Sequence, residues 1–354
     1  MKILLITDTH WGVRNDSPVF LDYLKKSVDD VLLPYVKENP VDAIIHLGDL
    51  VDRRKYINFV TLNRLKKDFI EPINNLGVPV HIIAGNHDEY YKNTYEINAL
   101  RELVADTYNN ITIYSTPATV EFDGVPILLL PWITQDGYEQ SIEAIKNSPA
   151  QICMGHLELY GFEMFKGSVS DHGMDHNVFS RYDLVCSGHY HHKSLSGNIC
   201  YLGAFAEYIW SDYNDPRGFS ILDTSTRELT FIQNTVSMFE KIWYDDLNKS
   251  MEDTLLFDPA EYKNKIVKVI IKNKTNPYWF DIFIEKLERA GTYELQVVED
   301  HLHLDLQEDT DIAVNAEDTL TIFNKYIGQL NGNFNKPKLE KCIKDLYSEA
   351  LSIE

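Results

Sequence analysis

Through the first hundred residues, short apolar runs alternate with amphipathic stretches. Residues 2–7 (KILLIT), 41–47 (VDAIIHL) and 79–84 (PVHIIA) have the length and β-branched content of strands, while 21–36 and 59–76 place apolar residues at helical spacing. This alternation predicts β-α-β units and a sheet with parallel strands. After Ile111 the runs shorten. Residues 119–122, Asp123-Gly124 and 125–130 predict a hairpin, and 218–223 with 228–233 predict another. Two further apolar runs, 151–154 and 184–187, lead into Gly155-His156 and Gly188-His189-Tyr190-His191-His192.

From Ile266 a strand (266–272), a helix opening at Pro277 and a strand (293–298) predict a second, compact β-α-β domain. Residues 290–324 contain no Lys or Arg beyond the helix end and are crowded with acids from Glu299 to Asp318, which predicts a solvated linker or rim. Beyond it, Leu320, Phe323, Ile327 and Leu330, then Leu339, Ile343, Leu346 and Leu351, recur at the spacing of two amphipathic helices. The expected division is therefore 1–235 for the main domain, 236–312 for a small α+β capping domain and 313–354 for the helix pair.

Composition narrows the classes. An apolar share of 44% without any run near the ~18 residues of a bilayer span argues against a membrane protein. The apolar start meets Asp8 and His10 too early for a signal-peptide core. Cys153, Cys186, Cys200 and Cys342 lie far apart with no Cys-x-x-Cys pair, so a disulfide framework and a zinc ribbon are both disfavoured and a cytoplasmic setting is expected. A net charge of −21 excludes a broadly basic, non-specific nucleic-acid binder. The chain also lacks a Gly-rich loop with Gly-Lys-Ser/Thr, so any ATP-driven work falls to another chain.

Five predicted strands end in polar clusters: Asp8-Thr9-His10, Gly48-Asp49, Gly85-Asn86-His87-Asp88, Gly155-His156 and Gly188-His189-Tyr190-His191. In open α/β sheets such endings gather on one rim. Singly, each reads as a cap, a turn or a structural histidine. Together they offer two carboxylates, an amide oxygen and four imidazoles, a mixed N/O set suited to first-row divalent ions. Two ions ~3.5–4 Å apart can clamp both the attacking and the leaving oxygen of a displacement at phosphorus. A histidine is the best-matched proton donor to a leaving oxygen, and Asp52, three residues after Asp49, is the expected orienter of that histidine. Arg53 and Arg14 are expected to contact substrate phosphate, Arg54 and Lys55 to add local positive charge, and Trp11, Tyr90, Tyr91 and Trp210 to offer faces for frayed bases.

This ordered set resembles the calcineurin-like metallophosphoesterase superfamily, whose fold is an α/β sandwich of two β-sheets flanked by helices. The resemblance implies one metal held by Asp8, His10, Asp49 and His191 and a second by Asp49, Asn86, His156 and His189. Asp49 would bridge them and His87 would act as the general acid. Within the superfamily the motifs are similar to the double-strand-break repair nucleases of the SbcD type, over about the first two-thirds of the chain. That likeness implies exonuclease and endonuclease action on DNA, Mn2+ as the expected ion with Mg2+, Fe2+ or Zn2+ as alternatives, and docking of the C-terminal helices on an SbcC-like coiled-coil ATPase; a homodimer is a further option. The alternatives are a small-substrate phosphatase or phosphodiesterase on the same scaffold, or a non-catalytic architectural subunit, which would be expected to lack one or more ligands.

Overall fold

The structure, a computed structural model, describes residues 1–105, 107–299, Lys336 and Lys338. The chain divides into one compact unit of Met1–Tyr208 with Asp212–His301 and another of Ile209–Ser211 with Leu302–Glu354. The predicted C-terminal helix pair, and Cys342 within it, lie outside the described residues. Cys153, Cys186 and Cys200 are buried free thiols. Among the described residues no helix is long and apolar enough to cross a membrane.

Two six-stranded sheets face each other in the first unit. The first is built from β1 (Lys2–Ile6), β2 (Ala43–His46), β3 (Val80–Ile83) and β4 (Ile111–Tyr114). The second contains β5 (Ala118–Phe122), β6 (Val125–Leu130), β7 (Ile152–His156), β10 (Leu184–Gly188), β11 (Ser194–Ser196) and β12 (Ile199–Tyr201), with a small hairpin of β8 (Glu163–Phe165) and β9 (Ser168–Val169) between β7 and β10. β13 (Gly218–Asp223) and β14 (Leu229–Gln233) return to the first sheet. The orders are β14-β13-β1-β2-β3-β4 and β11-β12-β10-β7-β6-β5. In each sheet parallel inner strands are joined to antiparallel pairs at an edge.

The run of Ile3, Leu4, Leu5 and Ile6 is explained by burial on both faces, each residue being at most 1% exposed. Ile3, Leu5, Ile45, Leu47 and Ile83 of the first sheet share one core with Ile127, Leu129, Ile152, Met154 and Cys186 of the second. Leu128, Leu130, Cys153 and Val185 face the other way, onto Ile145, Phe179 and Tyr182. The two crossover helices match their predicted places with a difference. Each contains one widened, π-helical turn, Val28–Leu32 and Lys66–Ile70, a residue or two before Pro34 and Pro72. A proline has no N–H for the helical ladder, and a wider turn accommodates the missing bond.

The third sheet is parallel, in the order β15 (Phe239–Asp245), β16 (Ile266–Asn273), β17 (Glu294–Glu299). Sequence periodicity did not reveal β15, because FEKIWYD mixes charged and apolar residues without strict alternation. The helix Pro277–Ala290 starts at Asn276, whose side chain accepts from the Tyr278 and Trp279 amides, and stops at Gly291 with φ 81°. Its Phe280, Phe283 and Leu287 cover Val267, Val269 and Ile271.

Candidate metal centre

The loop after β1 is laced to the loop after β2: the Asp8 amide donates to the Gly48 carbonyl (3.0 Å), His10 to Asp49 (3.1 Å) and Trp11 to Leu50 (2.9 Å). This lacing holds Asp8, His10 and Asp49 at φ 51°, 44° and 55°, and His189 after β10 has φ 85°. Left-handed backbone at these non-glycine residues costs of order 1–3 kcal/mol each and marks a place where side-chain direction matters more than local comfort. Two glycines make the crowding feasible. A Cβ on Gly85 would collide with Asp49, and one on Gly188 with Thr7 and Asp8.

All the predicted ligand residues meet. His10 Nε2 lies 3.2 Å from His191 Nε2, 3.9 Å from Asp8 Oδ1 and 3.7 Å from Asp49 Oδ2. On the other side, Asn86 Oδ1 is 2.9 Å from both His156 Nε2 and His189 Nδ1, and His156 Nε2 is 3.4 Å from Asp49 Oδ2. Asp8-His10-His191 and Asp49-His156-His189 each present ligand atoms within 4.8 Å of one another. Buried imidazole nitrogens turned toward each other and toward carboxylates, with Asp49 reaching both groups, fit a pair of first-row divalent cations.

Electrostatics agree with that fit. Burial alone would raise the Asp49 carboxyl, but the charge and hydrogen bond of His156 hold it well below the usual carboxylate range. Burial keeps His10 and His191 neutral, with lone pairs available. His156 goes the other way: burial lowers it, yet Asp49 and Asp8 raise it to about 9, so a cation binding there displaces a proton.

His87 donates from Nδ1–H to the Asp52 backbone carbonyl (2.5 Å), which leaves Nε2 as the working nitrogen, and its ring meets that of His10 edge-on at 4.9 Å. The expectation for Asp52 is thereby corrected in detail. Its main chain orients His87, while its carboxylate faces His10 Nδ1 at 3.6 Å. A His87 atom also lies within 4.8 Å of His10 and Asp49 ligand atoms.

The arginines are already engaged within the chain. Arg53 donates to Asp16 Oδ2 (2.9 Å), Asn15 Oδ1 (2.6 Å) and the Tyr56 hydroxyl (3.0 Å), which places its fork on the 13–16 turn. Arg14 donates from Nε to the Tyr208 carbonyl (3.1 Å). Trp11 is buried against Phe69 and presents no face to a base. Tyr91 is exposed, and Tyr90 and Trp210 are partly exposed.

The supporting roles of several residues escaped the sequence reading. The buried Asp88 carboxylate accepts from the Leu50 (3.0 Å), Val51 (3.2 Å) and Gly85 (2.9 Å) amides and so ties two ligand loops together. The Tyr208 hydroxyl donates to the Asp8 carbonyl (2.7 Å), and its ring borders His10 and His191. Arg217 donates to the His191 carbonyl and is itself held by Asp212 (2.7 Å) and Asp215 (3.0 Å). Trp132 packs on His189 with ring centroids 5.0 Å apart. Asp88 stood in the Gly85-Asn86-His87-Asp88 ending with no role given to it, and spacing pointed to none of the other three.

The chain is similar to known proteins. The chain is 32% identical to exonuclease subunit 1 of enterobacteria phage T4 over 99% of both chains. It is 27% identical to the SbcD component of the SbcCD nuclease of Staphylococcus epidermidis, over 65% of this chain and 67% of that one. It is 24% identical to the DNA double-strand break repair protein Mre11 of Methanosarcina acetivorans, over 67% of this chain and 39% of that one. Residues 1–193 match the calcineurin-like phosphoesterase family, and with the two-sheet fold and the converging Asp, Asn and His side chains already in place, the chain belongs to that family of dinuclear metal-dependent hydrolases.

Proposed function

We propose that the chain is a metal-dependent DNA nuclease, the nuclease subunit of a two-subunit SbcCD-like recombination and repair complex, with Mn2+ as its working ion. The observation that carries this reading is the position of Asp49. Its Oδ2 stands 3.7 Å from His10 Nε2 and 3.4 Å from His156 Nε2, between two ligand sets, with His87 beside them. Asp8, His10, Asp49 and His191 would hold one cation and Asp49, Asn86, His156 and His189 the other. When bound, two divalent cations supply charge stabilisation at phosphorus and a nucleophile at neutral pH.

The chain's own residues do the rest. His87, fixed through Nδ1–H by the Asp52 carbonyl, holds a proton on Nε2 for the leaving oxygen of the sugar. Asp88 keeps the Asp49 and Gly85 loops in register, so the ligands stay in place as charge develops. Residues 1–235 form the nuclease domain in this reading, 236–312 the cap, and 313–354 the segment that docks on a companion ATPase. The full-length match to a phage exonuclease subunit and the match to an SbcCD component support DNA as substrate and a partner chain.

The test uses the purified chain, stripped of metal and reloaded with Mn2+, Mg2+ or Zn2+, on end-labelled linear duplex DNA. Mn2+-dependent nucleotide release is expected; turnover of small phosphoesters alone would make the small-substrate reading correct. His87→Ala is expected to keep both ions by elemental analysis while losing about 10²–10⁴-fold in rate. Loss of metal along with rate would make His87 a ligand instead.

A further inference from the structure

Two clefts differ in charge, one beside the segment that follows Asp49 and one that reaches the ligand cluster itself. The first, of about 380 Å3, is lined by Arg53, Arg54 and Lys55 together with Glu102, Tyr56, Tyr90 and apolar residues such as Leu103. The other, of about 490 Å3, reaches His156 and is lined by Trp132, Ile133, Tyr138, Glu158, Met174 and Asp175, with no lysine or arginine among its described lining residues. Trp132 joins this second cleft to the cluster, its ring lying 5.0 Å from His189 and 6.1 Å from His156. Tyr138 is 50% exposed on the cleft wall.

We infer that the second cleft binds an unpaired nucleobase, the one attached to the phosphate that is cleaved; this rests on the nuclease reading above. Away from its His156 end the cleft offers phosphate no lysine or arginine among the described lining residues, and its charged groups there are Asp175 and Glu158, the latter 3.1 Å from His172 Nε2. A flat, neutral ring with exocyclic amino groups does suit it. Aromatic faces stack on any base, and carboxylates accept from amino groups such as cytosine N4. Trp132 packs beside two proposed ligands, so a base resting on it is only a sugar away from the cluster.

The experiment compares kcat and KM on duplexes whose scissile, frayed nucleotide carries either cytosine or an abasic tetrahydrofuran unit. Trp132→Ala and the exposed, fold-tolerant Tyr138→Ala are expected to lower the ratio of kcat/KM on the base-bearing over the abasic substrate by about 5- to 100-fold, the worth of one stacking contact. An unchanged ratio in both variants overturns the proposal. A second readout needs no cleavage: deoxycytidine titrated into the metal-free protein is expected to quench tryptophan fluorescence saturably, deoxyribose is not, and Trp132→Phe removes the quench. A quench that persists in Trp132→Phe, or none in the wild type, also overturns it. If the wild type cleaves neither duplex the nuclease reading fails, while the nucleoside titration still decides what the cleft binds.

Discussion

The two sheets bring different chemistry to the same rim. Loops after β1, β2 and β3 contribute the carboxylates Asp8 and Asp49, the amide of Asn86 and His10, whereas the ends of β7 and β10 contribute only imidazoles, His156, His189 and His191. The first rim is held mainly by its own loops, bonded amide to carbonyl and clasped by Asp88, with Tyr208 alone donating to Asp8 from farther along the chain. The second leans on distant residues, since His191 is steadied through Arg217, Asp212 and Asp215 from beyond β12. Neither rim holds a complete set of donors by itself, so the shared core between the sheets, Ile3 and Leu5 against Ile127 and Ile152, is also what assembles the site. A carboxylate-rich half needs a rigid backbone to tolerate its charge; an imidazole half needs only orientation.

The largest test of this division removes the one residue common to both ligand sets. Asp49→Ala is expected to drop bound metal from two ions per chain to one or none, with a loss of rate beyond the ~10²–10⁴-fold of a general acid, checked by elemental analysis and duplex cleavage. Retention of both ions would show that the two rims bind independently. Next comes the support of the second rim. Arg217→Met removes the buried guanidinium that Asp212 and Asp215 share, leaving them the Tyr208 amide and His192, and a destabilisation of about 3–5 kcal/mol is expected in urea unfolding. A near-neutral result would remove Arg217 as the prop of His191.

Glu207 sharpens the same comparison through pH. Burial raises its carboxyl from the ordinary 4.5 to about 7, although the Phe239 and Met238 amides donate to it. An acid raised on folding favours the folded state when protonated. Its contribution is therefore complete below about pH 4.5 and is lost as pH rises through about 7, on the order of 3 kcal/mol. Glu207→Gln is expected to lower the slope of the unfolding free energy between about pH 4.5 and 8 by this share, with Asp88 and Glu89, raised to about 7 and about 8, supplying the rest, and an unchanged slope would exclude Glu207 as a source. The smallest effect is expected at Asp52→Ala, where the carbonyl that orients His87 survives and only the carboxylate facing His10 is lost. Metal affinity should fall about 10–100-fold in a metal titration, as for an outer-sphere carboxylate. A shifted pH profile for kcat with unchanged metal affinity would restore the role the sequence suggested, that of positioning His87 through the side chain.

The sequence by itself determined the strands that end at the site, though not β15, together with the order of their polar endings and the proposed ligand set, because a strand buried on both faces must be apolar until it ends. A residue such as Asp49 or His189 placed there therefore announces itself. Left undetermined were the partners that act through space. Asp88 clasping Leu50, Val51 and Gly85, Tyr208 donating to Asp8, Arg217 under His191 and Trp132 against His189 are separated from their targets by up to 200 positions and follow no spacing rule. The division of labour in Asp52 was also out of reach: a side chain is visible in a sequence, but which of its main-chain or carboxylate oxygens meets which histidine depends on how two loops are laced. Tertiary structure alone decided that, because hydrogen bonds between loop tips are set by the packing of the sheets beneath them.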